Sequence, residues 1–261
     1  MNTQKKFQRG MTMLAMVAVL ATSCSKDDSK GGSSNQIIAK IQKDANNYTA
    51  FETNGDGLTT KVTSVEDGTP QVITITYNAQ NKPTTGSFDD AALRYVYAGN
   101  QLDTLYYGES EDLPALYSKL KYQNNQVITL VNYLDMPNGQ DDFPLAKHTY
   151  EYAGNDVKTQ TIYEWDMDND EFIMSEKYTF EYDTKVNPLK NMALISLSFF
   201  QVTSEHNPLK KTEYDADGTV VKTTTYTYNY NAAGLPTSVE EKEVTPGNPT
   251  GITTTTTFTY K

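Results

Sequence analysis

The chain has little of what most enzymes and nucleic-acid binders are built from. Of its 261 residues one is cysteine (Cys24), one is tryptophan (Trp165) and two are histidines (His148 and His206); past residue 23 the only arginine is Arg94. A single cysteine excludes an intramolecular disulfide framework and a Cys-based zinc site. One arginine leaves no set of guanidinium forks for phosphate. Without residues 1–23 the chain carries 19 Lys and Arg against 33 Asp and Glu, a net charge of −14. The basic surface that nucleic acid or an anionic membrane face requires is therefore missing, and no nucleic-acid partner is expected. There is no GxSxG phrase and no reactive cysteine to serve either histidine, which removes the familiar nucleophile arrangements. These absences point to a protein without a cofactor and without enzymatic activity.

The front of the chain reads as an address. Lys5, Lys6 and Arg9 precede an apolar stretch of eleven residues, Met11 to Ala21. That is too short to span a bilayer but suits the apolar region of a secretory signal. The phrase Ala21-Thr22-Ser23-Cys24 resembles a bacterial lipobox, which implies cleavage before Cys24 and an N-terminal lipid anchor on it. An ordinary signal peptide that ends near a cysteine is the alternative. Residues 24–36 are small and charged, with too little apolar surface to order themselves, and read as a flexible tether. Ser25-Lys26-Asp27-Asp28 resembles the acidic export signal of surface lipoproteins from Bacteroides-type bacteria. It implies an outer-membrane lipoprotein exposed at the cell surface; a solvated linker on a periplasm-facing lipoprotein is the alternative. The resulting division is a signal peptide over 1–23, a lipidated tether over 24–36 and a single domain over 37–261.

Within that domain one phrase recurs. A tyrosine followed by turn-forming residues occurs at Tyr77, Tyr97, Tyr122, Tyr152, Tyr182, Tyr214 and Tyr230, and Tyr260 nearly ends the chain; the gaps are 20, 25, 30, 30, 32, 16 and 30 residues. Asn, Asp and Gly after each tyrosine accept positive φ or cap a turn with a side chain. In four cases an apolar residue returns five places on, at Leu102, Val127, Val157 and Leu235. That offset lets it face the tyrosine across a hairpin with a four-residue loop. Each phrase is thus a hairpin and the repeat an array of hairpins.

Before the turns the pattern has period two. Ile73, Ile75 and Tyr77 alternate with Thr74 and Thr76, as do Tyr226, Tyr228 and Tyr230 with Thr227 and Asn229. Such alternation marks antiparallel strands with one buried and one wet face. With roughly 12 to 14 strands and little helix to cover the buried face, the sheet must curl on itself. The expected fold is all-β, an antiparallel meander of repeated hairpins closing into a barrel or half-barrel; a β-sandwich is the alternative. Thr219 to Tyr230 reads as one long strand, placing the turns after Tyr214 and Tyr230 at opposite ends of the sheet. The stretch between Pro188 and Pro208 lacks clean alternation and reads as an insertion, with a helical turn, over an open end of the core. Residues 35–48 fit a short helix or a first strand.

The cadence of YDADGTVVKT and YNAAGLPTSV is similar to the YD repeats of Rhs-type proteins. Together with SCSKDD and YDTKVNPLKN, the chain resembles an uncharacterised family of lipoproteins from Bacteroides-type gut bacteria. The resemblance implies a spiralling or curled sheet and an envelope location, and carries no catalytic residues.

Few groups stand out as chemistry. His148 lies on the Tyr150 and Tyr152 face and reads as a partly buried strand residue; His206 reads as a loop residue. Asp166, Asp168 and Asp170 begin like a calcium loop, but Glu171 stands where the turn glycine belongs and Lys177 where the bidentate acid belongs; a solvated hairpin tip is the plainer reading. Paired carboxylates are the requirement for cutting glycosidic bonds, and no recognisable pair stands out. Trp165 follows Tyr163 by two, so both rings share one strand face and form either a sugar-stacking platform or part of the core. The expected function is non-enzymatic binding of a glycan or peptide at the cell surface. The alternative is a scaffold docking another envelope protein, and a glycoside hydrolase is the least favoured reading.

Overall fold

The computed structural model describes residues 36–89, 91–108, 116–136, 141–192 and 202–261. The signal sequence, Cys24 and all but the last residue of the tether lie outside them. The described chain is a run of antiparallel strands: β1 (Ile38–Gln42), β2 (Tyr48–Thr53), β3 (Thr59–Glu66), β4 (Thr69–Tyr77), β5 (Pro83–Phe88), β6 (Ala91–Ala98), β7 (Gln101–Tyr107) and β8 (Leu116–Gln123). There follow β9 (Gln126–Leu134), β10 (Phe143–Ala153), β11 (Asp156–Asp166), β12 (Glu171–Val186), β13 (His206–Tyr214), β14 (Val220–Tyr230), β15 (Pro236–Thr245) and β16 (Asn248–Tyr260). Each strand pairs with its neighbours in sequence, and β16 pairs with β1, so the sheet closes into a barrel. Past that seam, Ile37 and Lys261 exchange backbone hydrogen bonds at 3.0 and 2.9 Å. Closure gives every described strand a neighbour on both sides, which for a one-sided sheet limits the hazard of edge-to-edge association.

The sixteen described strands exceed the roughly 12 to 14 expected from the pattern, and the first of them, β1, lies in the segment whose pattern fits helix and strand equally. That segment is a strand, with Ile38 and Ile41 facing inward.

Turns after even-numbered strands lie at one end, here the lower rim, and turns after odd-numbered strands at the upper rim. The turns follow local chemistry. Asn54, Asn78, Asp215 and Asn231 each accept two backbone N–H groups of their own loop through Oδ1, at 2.8–3.1 Å. The fourth residue of each loop has positive φ: Gly57 79°, Asn81 60°, Gly218 78° and Gly234 78°. Asn124 and Asn125 are both positive, at 51° and 62°, as a two-residue hairpin of matching twist requires. Tyr97 faces Leu102, Tyr122 faces Val127 and Tyr152 faces Val157 across such tight turns. Tyr230 instead faces Pro236, one place past Leu235.

Inward side chains from β1 to β11 pack in one apolar cluster that includes Phe51, Ile73, Leu105, Leu130 and Tyr150. Each such buried side chain contributes about 1.5–3 kcal/mol relative to exposure. Leu189 and Met192, beside a 3-10 turn at Lys190–Met192, reach into the cluster from the β12–β13 connection. The helical turn expected between Pro188 and Pro208 is there; residues 193–201 lie outside the described part.

Tyr77, Tyr230 and Tyr260 end their even-numbered strands at the lower rim, Tyr97, Tyr122 and Tyr152 stand one place before the end of theirs, and Tyr182 lies in the lower part of β12. In every one of these pairs the register shifts at the tyrosine. A bulge at each repeat bends the strand and increases its twist, so closure is distributed around the barrel. Tyr214 departs from the inward pattern. It ends β13 at the upper rim and pairs with Lys177 on the outer face, because β14 is the single long strand expected after it.

Candidate functional site

The outer wall is polar over much of its surface. On β14 to β16 the outward positions include Thr225, Thr227, Glu240, Lys242, Thr255 and Thr257. Against this, the upper part of β6 to β13 carries a belt of rings and cations. On four successive hairpins a cation on the even strand lies over a tyrosine on the following odd strand: Arg94 over Tyr106 at 4.0 Å, Lys119 over Tyr133 at 5.6 Å, Lys147 over Tyr163 at 4.2 Å and Lys177 over Tyr214 at 5.8 Å. Three of these are directly opposed cross-strand pairs. Tyr117 stands between Tyr106 and Tyr133, with ring centroids 5.4 and 5.2 Å away, and donates its hydroxyl to the Asp142 carboxylate. Burial pushes its phenol pKa upward, and the bond to Asp142 adds to that.

Tyr163 and Trp165 sit in this belt and share the outer face of β11, as their spacing requires. The ring of Phe172, opposite Trp165 on β12, meets it edge-on at 4.9 Å. The Lys147 ammonium lies 4.7 Å from the same Phe172 ring. β13 pairs with β12 only from Lys177 onward, so Glu171–Glu176 extend past the end of β13 and the Trp165–Phe172 pair borders an uncovered edge. Lys119, Lys147, Lys177 and Phe172 were not legible as site residues from phrases alone. The available signal was parity. Arg94 and Lys119 stand three places before an inner tyrosine, Lys147 and Lys177 five, and an odd offset on a strand means the opposite face.

Asp166, Asp168 and Asp170 occupy the β11–β12 turn but do not converge on a cation. Asp166 accepts from the Asp168 N–H at 2.9 Å and from Asn169 Nδ2 at 2.7 Å, so both of its oxygens cap the turn. The Asn169 side chain, then the Asp168 N–H, hold its carboxyl below the usual range. Among the described residues no group of three or more His, Cys, Asp or Glu is arranged to hold a metal.

Inside the barrel, β12 to β16 form a second polar region. Glu213 joins Lys211 at 3.1 Å and Lys222 at 3.0 Å, and Lys222 approaches Glu243 at 3.7 Å. Glu241 and Glu243 line a recess of about 200 Å³ with Ile41, Thr49, Thr254 and Thr256. Burial, and next the charge of Glu243, raise the Glu241 carboxyl pKa. The two acids stand two residues apart on one strand rather than facing each other, and Lys222 pairs with the second. A glycosidase needs carboxyls on opposite sides of a sugar. Neither Tyr163 nor Trp165 lines the recess.

His148 is buried between Leu130 and Ile162 on the adjacent strands, and desolvation lowers its pKa to about 4. His206 begins β13 instead of lying in a loop; its N–H and Nδ1 both contact the Asp156 carboxylate, at 3.0 and 2.8 Å.

No family model matches the chain, and no curated protein matches it. Solved structures resemble it in fold. A porin-like protein from Bacteroides uniformis aligns over 86% of this chain and 98% of its own at 14% identity, with a TM-score of 0.58. A porin-like protein from Bacteroides vulgatus aligns over 86% and 99% at 12% identity, with a TM-score of 0.46. The first likeness agrees with a closed all-β barrel. Among the described residues no helix is long and apolar enough to cross a membrane. A membrane-spanning barrel presents an outward apolar band about 25 Å tall, whereas most outward residues of β14 to β16 are threonines and other polar or charged groups. The chain is thus similar to a porin-like protein in architecture, and its wall along these strands is polar on the outside.

Proposed function

We propose that the protein is a non-enzymatic binding module of the bacterial cell envelope. Lipidated Cys24 holds it to the outer membrane, the tether displays it at the cell surface, and it takes a glycan on the outer belt around Tyr163 and Trp165. The observation that carries this reading is the cluster of Tyr163, Trp165 and Phe172 with Lys147, half-buried at an uncovered hairpin edge on a wall that is polar over much of its surface. Ring faces stack against the C–H faces of sugars, while a positioned ammonium donates to hydroxyl or acid oxygens. The polar wall supports an aqueous setting in which the lipid, and not the barrel, meets the membrane. The fold likeness to a porin-like Bacteroides protein supports an envelope setting. The test is a glycan array read with the purified protein and its Trp165→Ala variant. Removing a central aromatic anchor is expected to weaken binding by roughly tenfold or more. Unchanged binding by the variant overturns the platform.

A further inference from the structure

We infer that the outer belt selects an acidic polysaccharide, carrying carboxylates or sulfates, over a neutral one; this rests on the reading of the belt as a glycan platform and specifies its ligand. Elsewhere on the outer wall Lys61 pairs with Glu52 at 2.7 Å and Lys210 with Glu181 at 3.0 Å, while Lys40 lies over the Tyr48 ring at 4.1 Å. Among the described residues Lys119, Lys147 and Lys177 form no salt bridge, and each lies over a tyrosine ring. A ring quadrupole positions a cation without neutralising it. An arriving anion therefore meets ammonium groups that are already placed and still charged.

The placement is periodic. Val131 pairs with Lys119 on one side and Lys147 on the other, so these two stand in one row, two strand spacings or about 10 Å apart. Lys177 follows on the next even-numbered strand, opposite Thr161 and two places from the Tyr163 row. Tyrosine rings occupy the intervening strands. Alternating ring and cation at the scale of a disaccharide suits a polymer with one acid group per repeat, its sugar faces on the rings and its acids on the lysines. Three cations in one lane of a chain with net charge −14 past residue 23 give local complementarity to an anion against the repulsion of the whole.

The experiment is affinity electrophoresis of the purified protein through gels containing polygalacturonate (carboxylates), chondroitin sulfate (sulfates with carboxylates) or dextran (neutral), with duplex DNA as a further polyanion. Retardation is expected in one or both acidic polysaccharides, reduced by salt, and absent in dextran. The variant carrying Lys119→Gln, Lys147→Gln and Lys177→Gln loses roughly tenfold or more in affinity, while the Lys→Arg triple keeps it; circular dichroism of both confirms the barrel. Equal retardation in dextran, undiminished in the Gln triple, overturns the acid selectivity and leaves the glycan platform standing. DNA retarded as strongly as the polysaccharides overturns the inference in favour of charge alone. No retardation in any polysaccharide, together with a silent glycan array, overturns the platform itself.

Discussion

Tyr152 donates its hydroxyl to the carbonyl of Val127 at 2.7 Å, across 25 residues of sequence. Val127 is the residue that faces Tyr122, the inner tyrosine of the preceding hairpin. The same step recurs around the lower rim: Tyr97 to Pro83, Tyr182 to Val157 and Tyr260 to Pro236, at 2.8–2.9 Å. The recurring tyrosine thus fills the core with its ring and fastens its own hairpin to the previous one with its hydroxyl. Tyr152→Phe keeps the ring and leaves a part-buried carbonyl short of a partner. The expected cost is about 1–2 kcal/mol, seen as a lower urea midpoint with an unchanged slope.

Gly86 has no room for a side chain. A Cβ there would lie 2.2 Å from the Thr74 carbonyl oxygen, a backbone atom that cannot swing aside. Gly86→Ala is expected to destabilise by about 3 kcal/mol or more. A Cβ at Gly247 meets nothing within 4 Å, so Gly247→Ala stays within about 0.5 kcal/mol of the parent. Equal midpoints for the two variants in thermal melts would contradict the close approach of β4 and β5.

His148 makes the barrel sensitive to mild acid. Burial pushes its pKa down to about 4 from the ordinary 6.5, so below pH 6.5 the unfolded chain binds a proton that the folded chain refuses. Stability therefore falls with pH from about 6.5 to about 4 and levels off below, with a total loss of about 3 kcal/mol. His148→Gln removes this component, and its urea midpoint is expected to change less than the parent's across that window.

Glu213 binds two lysines inside the barrel. Glu213→Gln leaves Lys211 and Lys222 with less compensation in a partly desolvated region, where their side chains are 17% and 30% exposed. Solvent screening limits the expected cost to about 1–2 kcal/mol. The parent's advantage over the variant should shrink as salt rises, which chemical denaturation at two ionic strengths measures.

Much of the architecture was legible locally. Period-two runs such as Tyr226, Tyr228 and Tyr230 mark strands because adjacent side chains on a strand must point to opposite faces. Turn phrases such as NAAG carry their own hydrogen bonds, so they form wherever they are placed. The β1 segment was ambiguous because Ile37, Ile38 and Ile41 fit two periods at once, and only pairing with β16 resolves it. For the site, the spacing of Tyr163 and Trp165 predicts a shared face but is silent about which face is outward. Their neighbours Lys147 and Phe172 come from other strands.

The amino-acid sequence by itself determined the strands, the turns and the all-β class, since each of these depends on contacts within a few residues. Closure at β1 and β16, the joining of inward side chains from β1 to β11 into one core, and the row of Lys119 and Lys147 astride Val131 were decided by the tertiary structure alone. Register between strands depends on bulges and on distant partners, and no local pattern records where those partners stop.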